Sequence, residues 1–138
     1  MHDPQVATVR RFFDEVWNQR RDATVDELLT DESICHTDAG PIVGREAFRQ
    51  MQYIPLTSAY PDIHVDIDAA ISQDDIVVVR WTARGTHTGE GLGFAATHQV
   101  STFQGISWIR LAQGKLMEGW QSSNITSAIG SLLASLTK

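Results

Sequence analysis

The spacing of hydrophobic residues along this chain changes near residue 61. Before that point apolar residues recur every three or four positions, which is typical of amphipathic helices. After it they alternate with polar residues, which is typical of strands with one face towards solvent. Helices first and long antiparallel strands afterwards predict an α+β fold rather than a parallel sheet wrapped by helices.

The elements that this pattern predicts can be placed along the whole chain, which we expect to form one domain over residues 1–138. The predicted helices cover residues 4–20, 24–31, 44–53 and 126–136. The predicted strands cover residues 33–38, 63–71, 76–87, 97–111 and 115–124. Gly40-Pro41 is predicted as a turn, and the stretch between Pro55 and Pro61 as irregular. We expect a cone-shaped, curved sheet, antiparallel or mixed, whose open side is covered by the N-terminal helices and encloses an apolar pocket.

Composition and charge exclude several classes of function. The net charge is −6 and the hydrophobic fraction is 42%. Nucleic acids and anionic membranes require a basic face, so we expect neither as a partner. No apolar run approaches the roughly 20 residues of a membrane span. The first residues do not form a secretion signal, which predicts a cytoplasmic protein. Cys35 is the single cysteine, so no intrachain disulfide forms.

A glycine-rich run follows the predicted central strand. It reads RWTARGTHTGEGLG from Arg80 to Gly93 and places His87 where the strand ends. Together with other segments it resembles the SnoaL-like polyketide cyclase (ester cyclase) family of the nuclear-transport-factor-two-like superfamily. The segments that carry the resemblance are GREAFR at 44–49, YPD at 60–62, VVRWTARGTHTGE at 78–90 and GKLMEGW at 114–120. The similarity covers about residues 5–125.

The resemblance implies an apolar cavity behind the curved sheet, with no metal and no organic cofactor. In the cyclases such a cavity holds a polyketide ester, and a carboxylate on the last strand serves as acid and base for an intramolecular aldol closure. The family usually carries acids one and four residues beyond the tryptophan that corresponds to Trp120. Here those positions are Gln121 and Asn124, whose amides do not titrate.

Histidines and one aspartate are therefore the candidate catalytic residues. His36 and Asp38 lie two positions apart on a short predicted strand, so their side chains are expected on one face, where they would form an oriented general base. His87 is placed to bind a substrate carbonyl at the cavity mouth. The alternatives remain open that Asp38 only caps a turn, that His36 makes a core hydrogen bond, and that His87 anchors the glycine-rich loop.

Residues that bind substrate are predicted from the same strands. Counting outward from the hairpin centre at residues 113–114 puts Gln121 opposite Ile106, so Gln104 and Gln121 are expected on one face. Two amides there would hold a carbonyl or an enolate without titrating. The apolar residues expected to line the pocket and bind substrate are Trp17, Trp81, Ile106 and Trp108. No group of residues shows the spacing of metal ligands.

The sequence thus predicts a cofactor-independent cyclase or isomerase that acts by enolisation or aldol chemistry on a polyketide-like or cyclic carbonyl compound. One alternative is a non-catalytic ligand-binding or dimerisation domain that has lost the family's acid. Another is a dehydratase, hydroxylase or epoxide hydrolase on the same fold. Because an uncovered, half-apolar sheet face favours association, we also expect a homodimer.

Overall fold

Helices and strands follow one another in the order that the hydrophobic spacing predicts. The computed structural model describes residues 3–136. Its helical segments are α1 (Pro4–Phe12), a π-helical continuation (Phe13–Asn18), α2 (Asp22–Leu28), α3 (Arg45–Phe48), a second π-helical stretch (Arg49–Tyr53), α4 (Ile54–Ala59) and α5 (Ile125–Ser135). Its strands are β1 (Ile34–Thr37), β2 (Gly40–Val43), β3 (His64–Gln73), β4 (Ile76–Thr86), β5 (Val100–Ala112) and β6 (Lys115–Ser123).

The described strands form one curved, mixed sheet in the order β2-β1-β6-β5-β4-β3. The long strands β3 to β6 are antiparallel neighbours, whereas β1 runs parallel to β6. The helices cover one side of this sheet, and the hydrophobic core lies between them. The predicted α+β class and the mixed sheet are confirmed. No helix within residues 3–136 is long and apolar enough to cross a bilayer.

The core is formed by the inner face of the sheet and the apolar side of the first helix. Val9 and Val16 on the helix and Val77 and Val79 on β4 have no solvent exposure. The first helix begins as predicted, since the carboxylate of Asp3 accepts the amide hydrogens of the first turn. Its π-helical continuation has wider turns, and the aromatic residues within it, Phe13 and Trp17, lie on the buried side.

Two predictions around prolines are wrong. Gly40-Pro41 is not the turn but the start of β2, because Pro41 lies on the edge strand, where its missing amide hydrogen breaks no sheet bond. The chain reverses at residues 38–39 instead. The stretch after Pro55 is helix α4, which continues directly from the π-helical stretch Arg49–Tyr53, so Pro55 lies within a helical run instead of ending it.

A β-bulge in the β5–β6 hairpin decides which side chains face the core. Leu111 pairs with Leu116, but the next pair is Arg110 with Glu118, so Met117 is an extra residue on β6. Beyond the bulge Gln121 pairs with Ser107, and not with Ile106 as a regular hairpin would have it. A shift of one residue exchanges the two faces of a strand. Gln121 therefore shares the inner face with Ser107.

The glycine-rich loop after β4 packs against α4. Gly89 donates its amide hydrogen to the Ala59 carbonyl at 3.1 Å. A Cβ atom at Gly89 would lie 1.7 Å from the carbonyl oxygen of Ser58, so only glycine allows the two backbones to approach this closely. The loop is thereby held over one end of the core.

A matched pair of glycine substitutions on the inner face tests the packing of Trp81. A Cβ at Gly105 would lie 2.3 Å from the Trp81 ring, which is fixed by a hydrogen bond from its Nε1 to Ser107 Oγ at 3.0 Å. We expect Gly105→Ala to lower the free energy of unfolding by about 1–3 kcal/mol in urea titrations. A Cβ at Gly119 has no contact closer than 3.6 Å. Gly119→Ala should change stability by no more than about 0.5 kcal/mol, and equal losses for both variants would contradict this packing.

Candidate functional site

An apolar cavity of about 440 Å³ lies between the inner face of the sheet and the helices. Its deep wall is aromatic and is formed by both layers of the fold. The aromatic residues that line the cavity are Phe12, Phe13, Trp17, Phe48, Trp81 and Phe103, together with Trp120 of β6. A cavity of this size and character suits a small, largely apolar organic ligand.

Polar side chains on the cavity wall come mainly from the ends of β1 and β6 and the start of α5. Asp38, Gln121, Ser123 and Thr126 line this part, which we call the mouth because Asp38 and Thr126 are solvent-exposed. Gln52 lines the cavity from the helical side. A ligand with an apolar body and one polar end therefore fits with its polar end at the mouth.

The carboxylate of Asp38 is held at the mouth by the end of β6. The Ser122 hydroxyl lies 3.2 and 3.3 Å from its two oxygens, and the amide of Ser123 donates to Oδ2 at 3.5 Å. These contacts exist because β1 runs parallel to β6, so that the residues following β1 lie beside the end of β6. The arrangement orients a carboxylate beside the cavity.

The predicted pairing of His36 with Asp38 is wrong. Asp38 lies beyond the end of β1, so the strand alternation that would place both on one face no longer applies. His36 Nε2 instead lies 2.8 Å from Glu118 Oε2, and its ring stacks on Trp120 with centroids 5.1 Å apart. Arg110 lies 3.6 Å from the same carboxylate. His36 thus belongs to a cluster on the outer face of the sheet.

His87 is fully buried and is not among the residues that line the cavity. Its Nδ1 accepts the amide hydrogen of Thr97 at 3.1 Å, which assigns the ring proton to Nε2. The Nε2 atom has no hydrogen-bond partner among the described residues. The ring packs against Tyr60 and Phe94, with centroids 5.9 and 5.1 Å away. This geometry supports the alternative that His87 anchors the glycine-rich loop.

The predicted binding residues divide between the two faces of the sheet. Trp17, Trp81 and Gln121 line the cavity. Gln104, Ile106 and Trp108 point outward from β5, where Ile106 and Trp108 are 53% and 50% exposed. The prediction that Gln104 and Gln121 share a face is wrong, because the bulge at Met117 shifts the pairing by one residue.

Gln104 has a structural partner instead of a ligand. Its backbone amide donates to Asn124 Oδ1 at 2.8 Å, and its side-chain oxygen accepts from Asn124 Nδ2 at 3.2 Å. Both polar atoms of the Asn124 side-chain amide therefore bond to Gln104, which fixes the start of α5 to β5. Neither residue contributes a polar group to the cavity.

Several wall residues were not predicted from the sequence. Gln52 and Ser123 belong to no sequence motif that would point to a site. The position of Ser123 on the cavity wall follows only from the correct register of the β5–β6 hairpin. Cys35 also lines the cavity, and burial raises the pKa of its thiol to about 11, so the thiol stays protonated at neutral pH. Within residues 3–136 no three His, Cys, Asp or Glu side chains converge in a way that would hold a metal ion.

Comparisons with known proteins agree with this architecture. The sequence profile of the SnoaL-like polyketide cyclase family matches residues 7–128. A provisionally named SnoaL-like polyketide cyclase from Jannaschia sp. CCS1 superimposes with a TM-score of 0.83 at 21% identity, covering 94% of this chain and 91% of that one. No curated protein sequence matches this chain.

Two proteins from Streptomyces share the fold as well. IdmH from Streptomyces antibioticus, provisionally named a polyketide cyclase, has a TM-score of 0.80 at 21% identity, over 95% of this chain and 99% of its own. AclR from Streptomyces galilaeus, provisionally named a hydroxylase, has a TM-score of 0.78 at 18% identity, over 93% and 94%. At these identities the likeness shows the fold alone.

The buried His87 makes a specific contribution to the pH dependence of stability. Burial lowers the pKa of His87, and the nearby His98 acts in the same direction. In the unfolded chain His87 takes up a proton near pH 6.5, whereas in the folded protein it does so only at a lower pH. The free energy of unfolding therefore falls as the pH drops below about 6.5. Below about pH 6.5 we expect the contribution of His87 to lower the free energy of unfolding by up to about 1.4 kcal/mol per pH unit.

His87→Asn removes this titration and leaves a side-chain oxygen near the position of Nδ1 to accept the Thr97 amide. Its stability should therefore vary less between pH 7 and 5 than that of the wild type in urea titrations. His64→Asn is the control, because His64 is an exposed histidine on β3. An unchanged pH slope in His87→Asn would show that His87 is not the responsible group.

Proposed function

Since this chain belongs to the SnoaL-like polyketide cyclase family, we propose that it is a cofactor-independent enzyme that catalyses enolisation and intramolecular aldol closure of a small polyketide-like carbonyl compound. The proposal rests on one observation above all. An oriented carboxylate, Asp38, stands at the mouth of an apolar cavity, whereas the other carboxylate among the described lining residues, Glu118, is bonded to His36 and lies near Arg110.

Asp38 has the chemistry of the acid and base in this reaction. Its carboxylate removes a proton from a carbon between two carbonyl groups, which leaves an enolate. The enolate carbon then attacks a third, more distant carbonyl of the same molecule, and the protonated Asp38 returns its proton to the resulting alkoxide. Atoms balance without any external reactant, since the product is an isomer of the substrate.

The remaining cavity residues position the substrate and stabilise developing charge. Gln121 lies on the inner face beside the mouth, where its amide N–H groups donate to an enolate oxygen. Trp17 and Trp81 hold the apolar body of the molecule in a folded conformation. Bringing two ends of one chain together in this way lowers the entropic part of the barrier.

A second candidate is a protein that binds the same class of ligand without turning it over. It is favoured by the residues at the positions where the family carries acids, because Gln121 and Asn124 do not titrate and Asn124 is bonded to Gln104. Hydroxylase, dehydratase or epoxide hydrolase chemistry remains a third candidate, in keeping with the name of AclR. Measuring proton transfer and binding separately distinguishes the first two.

We propose a second copy of the chain as the partner of the outer sheet face. Ile106, Trp108 and Trp120 form an exposed apolar stripe there, 43–53% accessible. Charged side chains of both signs flank this stripe on β3 and β4: Asp66, Asp68, Arg80 and Arg84. A surface that combines aromatic residues with both signs of charge is complementary to itself, as a twofold interface requires.

The proposed role of Asp38 is tested by proton exchange at an activated carbon. In heavy water, the wild type should accelerate deuterium uptake between the two carbonyls of ethyl benzoylacetate, followed by NMR. Removing a positioned base costs about 10²–10⁴ in rate, so Asp38→Asn should lose at least two orders of magnitude. Thr102→Ala, at an exposed outer-face position of β5, should keep the wild-type rate.

An Asp38→Asn protein that exchanges at the wild-type rate would refute this role. If calorimetry shows that the wild type binds ethyl benzoylacetate without accelerating exchange, the non-catalytic candidate is favoured instead.

The proposed dimer is tested by placing a charge in the apolar stripe. Sedimentation at micromolar concentration should give a dimer for the wild type and a monomer for Trp108→Lys, because burying an unpaired ammonium opposes association. Leu133→Lys is the matched control, since Leu133 is 45% exposed on α5, away from the sheet. A wild type that sediments as a 15.3 kDa monomer would refute the dimer.

A further inference from the structure

A buried serine on the inner face of β5 has a hydroxyl proton without an acceptor among the described residues. Ser107 is 4% exposed and lines the cavity. The indole Nε1 of Trp81 donates to its Oγ at 3.0 Å. Because an indole nitrogen is only a donor, the serine oxygen accepts in this bond, and its own proton is directed elsewhere. No residue from 3 to 136 accepts that proton, so it is available to a ligand in the cavity.

The indole that fixes this serine is itself tightly packed. The ring of Trp81 meets that of Phe103 edge-on, with centroids 6.1 Å apart. On Gly105 a Cβ atom would lie 2.3 Å from the same ring, so the indole has no room to move in that direction. A hydrogen bond accepted from an immobile N–H group orients the Ser107 hydroxyl and polarises its O–H bond, which strengthens it as a donor. A donor oriented in advance costs no reorganisation when charge develops.

A second available donor lies beside Ser107. Gln121 is its direct partner on β6, lines the cavity, and has no side-chain hydrogen bond to the described residues. Thr37, at the end of the adjacent strand β1, is engaged instead, since its hydroxyl donates to the Gly40 carbonyl at 2.8 Å and accepts the Ala39 amide hydrogen at 3.2 Å. A carbonyl oxygen has two lone pairs and can accept from Ser107 and Gln121 together.

We propose that the Ser107 hydroxyl, oriented by Trp81, donates a hydrogen bond to the carbonyl oxygen of the ligand and, in the proposed reaction, to the enolate oxygen that it becomes. Ser107 transfers no proton: Asp38 takes the proton from carbon, and the O–H bond of the serine stays intact while negative charge collects on the oxygen. Trp81 acts through Ser107 and is a positioning residue. The carbonyl contact is independent of turnover, whereas the enolate contact rests on the proposed function.

The carbonyl contact is measured by the C=O stretching frequency of a bound ketone. Acetophenone carrying carbon-13 at its carbonyl is the probe, followed by infrared difference spectroscopy. A hydrogen bond to the oxygen weakens the C=O bond, so the frequency should be lower in the wild type than in Ser107→Ala. Ser107→Thr keeps the hydroxyl and should restore the wild-type frequency. If the alanine variant does not fold, Ser107→Cys serves in its place, because a thiol is a weak donor.

The matched control is Ser101→Ala. Ser101 is buried on the same face of β5 and its Oγ accepts from the Tyr60 hydroxyl at 2.9 Å, but it does not line the cavity. The control therefore removes an equivalent hydroxyl beside an aromatic partner, and both the frequency and the exchange rate should keep their wild-type values. Ser107→Ala should slow deuterium exchange into ethyl benzoylacetate at least about tenfold, the effect of losing one donor to developing charge.

Trp81→Phe separates orientation from the hydroxyl itself. The frequency should lie between those of the wild type and Ser107→Ala, because the hydroxyl remains but loses the N–H group that orients it. A wild-type frequency in this variant would refute the positioning role of Trp81.

The inference is overturned if acetophenone does not bind, if Ser107→Ala leaves the frequency unchanged, or if Ser101→Ala shifts it equally. A wild-type exchange rate in Ser107→Ala, together with loss of exchange in Asp38→Asn, would refute the enolate contact and leave the proposed reaction standing. A frequency that depends on Ser107, in a wild type that does not accelerate exchange, would refute the proposed reaction and support the carbonyl contact.

Discussion

The extra residue at Met117 is the constraint on which the chemistry of both sheet faces depends. From the bulge onward, β6 turns Gly119, Gln121 and Ser123 inward and Glu118, Trp120 and Ser122 outward. Without it, the regular pairing would turn the side chains of Glu118 and Trp120 towards the core and that of Gln121 towards the outer face. Bulges beside functional sites commonly redirect a side chain in this way.

The bulge also separates charge from the cavity. On the outer face, Glu118 meets His36 and Arg110, and His36 stacks on Trp120. Among the described residues, Gln121 and Ser123 give the inner face of β6 neutral polar groups, and Asp38 lies at the rim of the cavity. None of the described lining residues is a lysine, arginine or histidine that could pair with Asp38, whose exposed carboxylate is oriented by Ser122 and Ser123. The proposed catalytic group is therefore a carboxylate with no cationic partner in the described cavity wall.

The fold could be predicted from the sequence because its signals are local. The change from helical to alternating spacing and the tight turn at residues 113–114 each act over a few residues. The site could not be predicted equally well, since it depends on register. One inserted residue moved Gln121 to the inner face and left Gln104 outside, and the end of β1 at Thr37 separated His36 from Asp38. Neither the bulge at Met117 nor the end of β1 at Thr37 changes the hydrophobic spacing enough to be recognised in a single sequence.

The parallel pairing of β1 with β6 gives a physical account of how an acid could be present although Gln121 and Asn124 are amides. Residues that follow β1 lie beside the end of β6, and Asp38 is bound there by the hydroxyl of Ser122 and the amide of Ser123. A carboxylate in the turn that follows β1 thus lies beside the end of β6, at the mouth of the cavity. Asn124 is then available to fix α5 to β5 through Gln104, which holds the start of the helix that lines the mouth. In this arrangement the amides of Gln121 and Asn124 and the carboxylate of Asp38 on the adjacent chain segment are compatible with the proposed acid–base site.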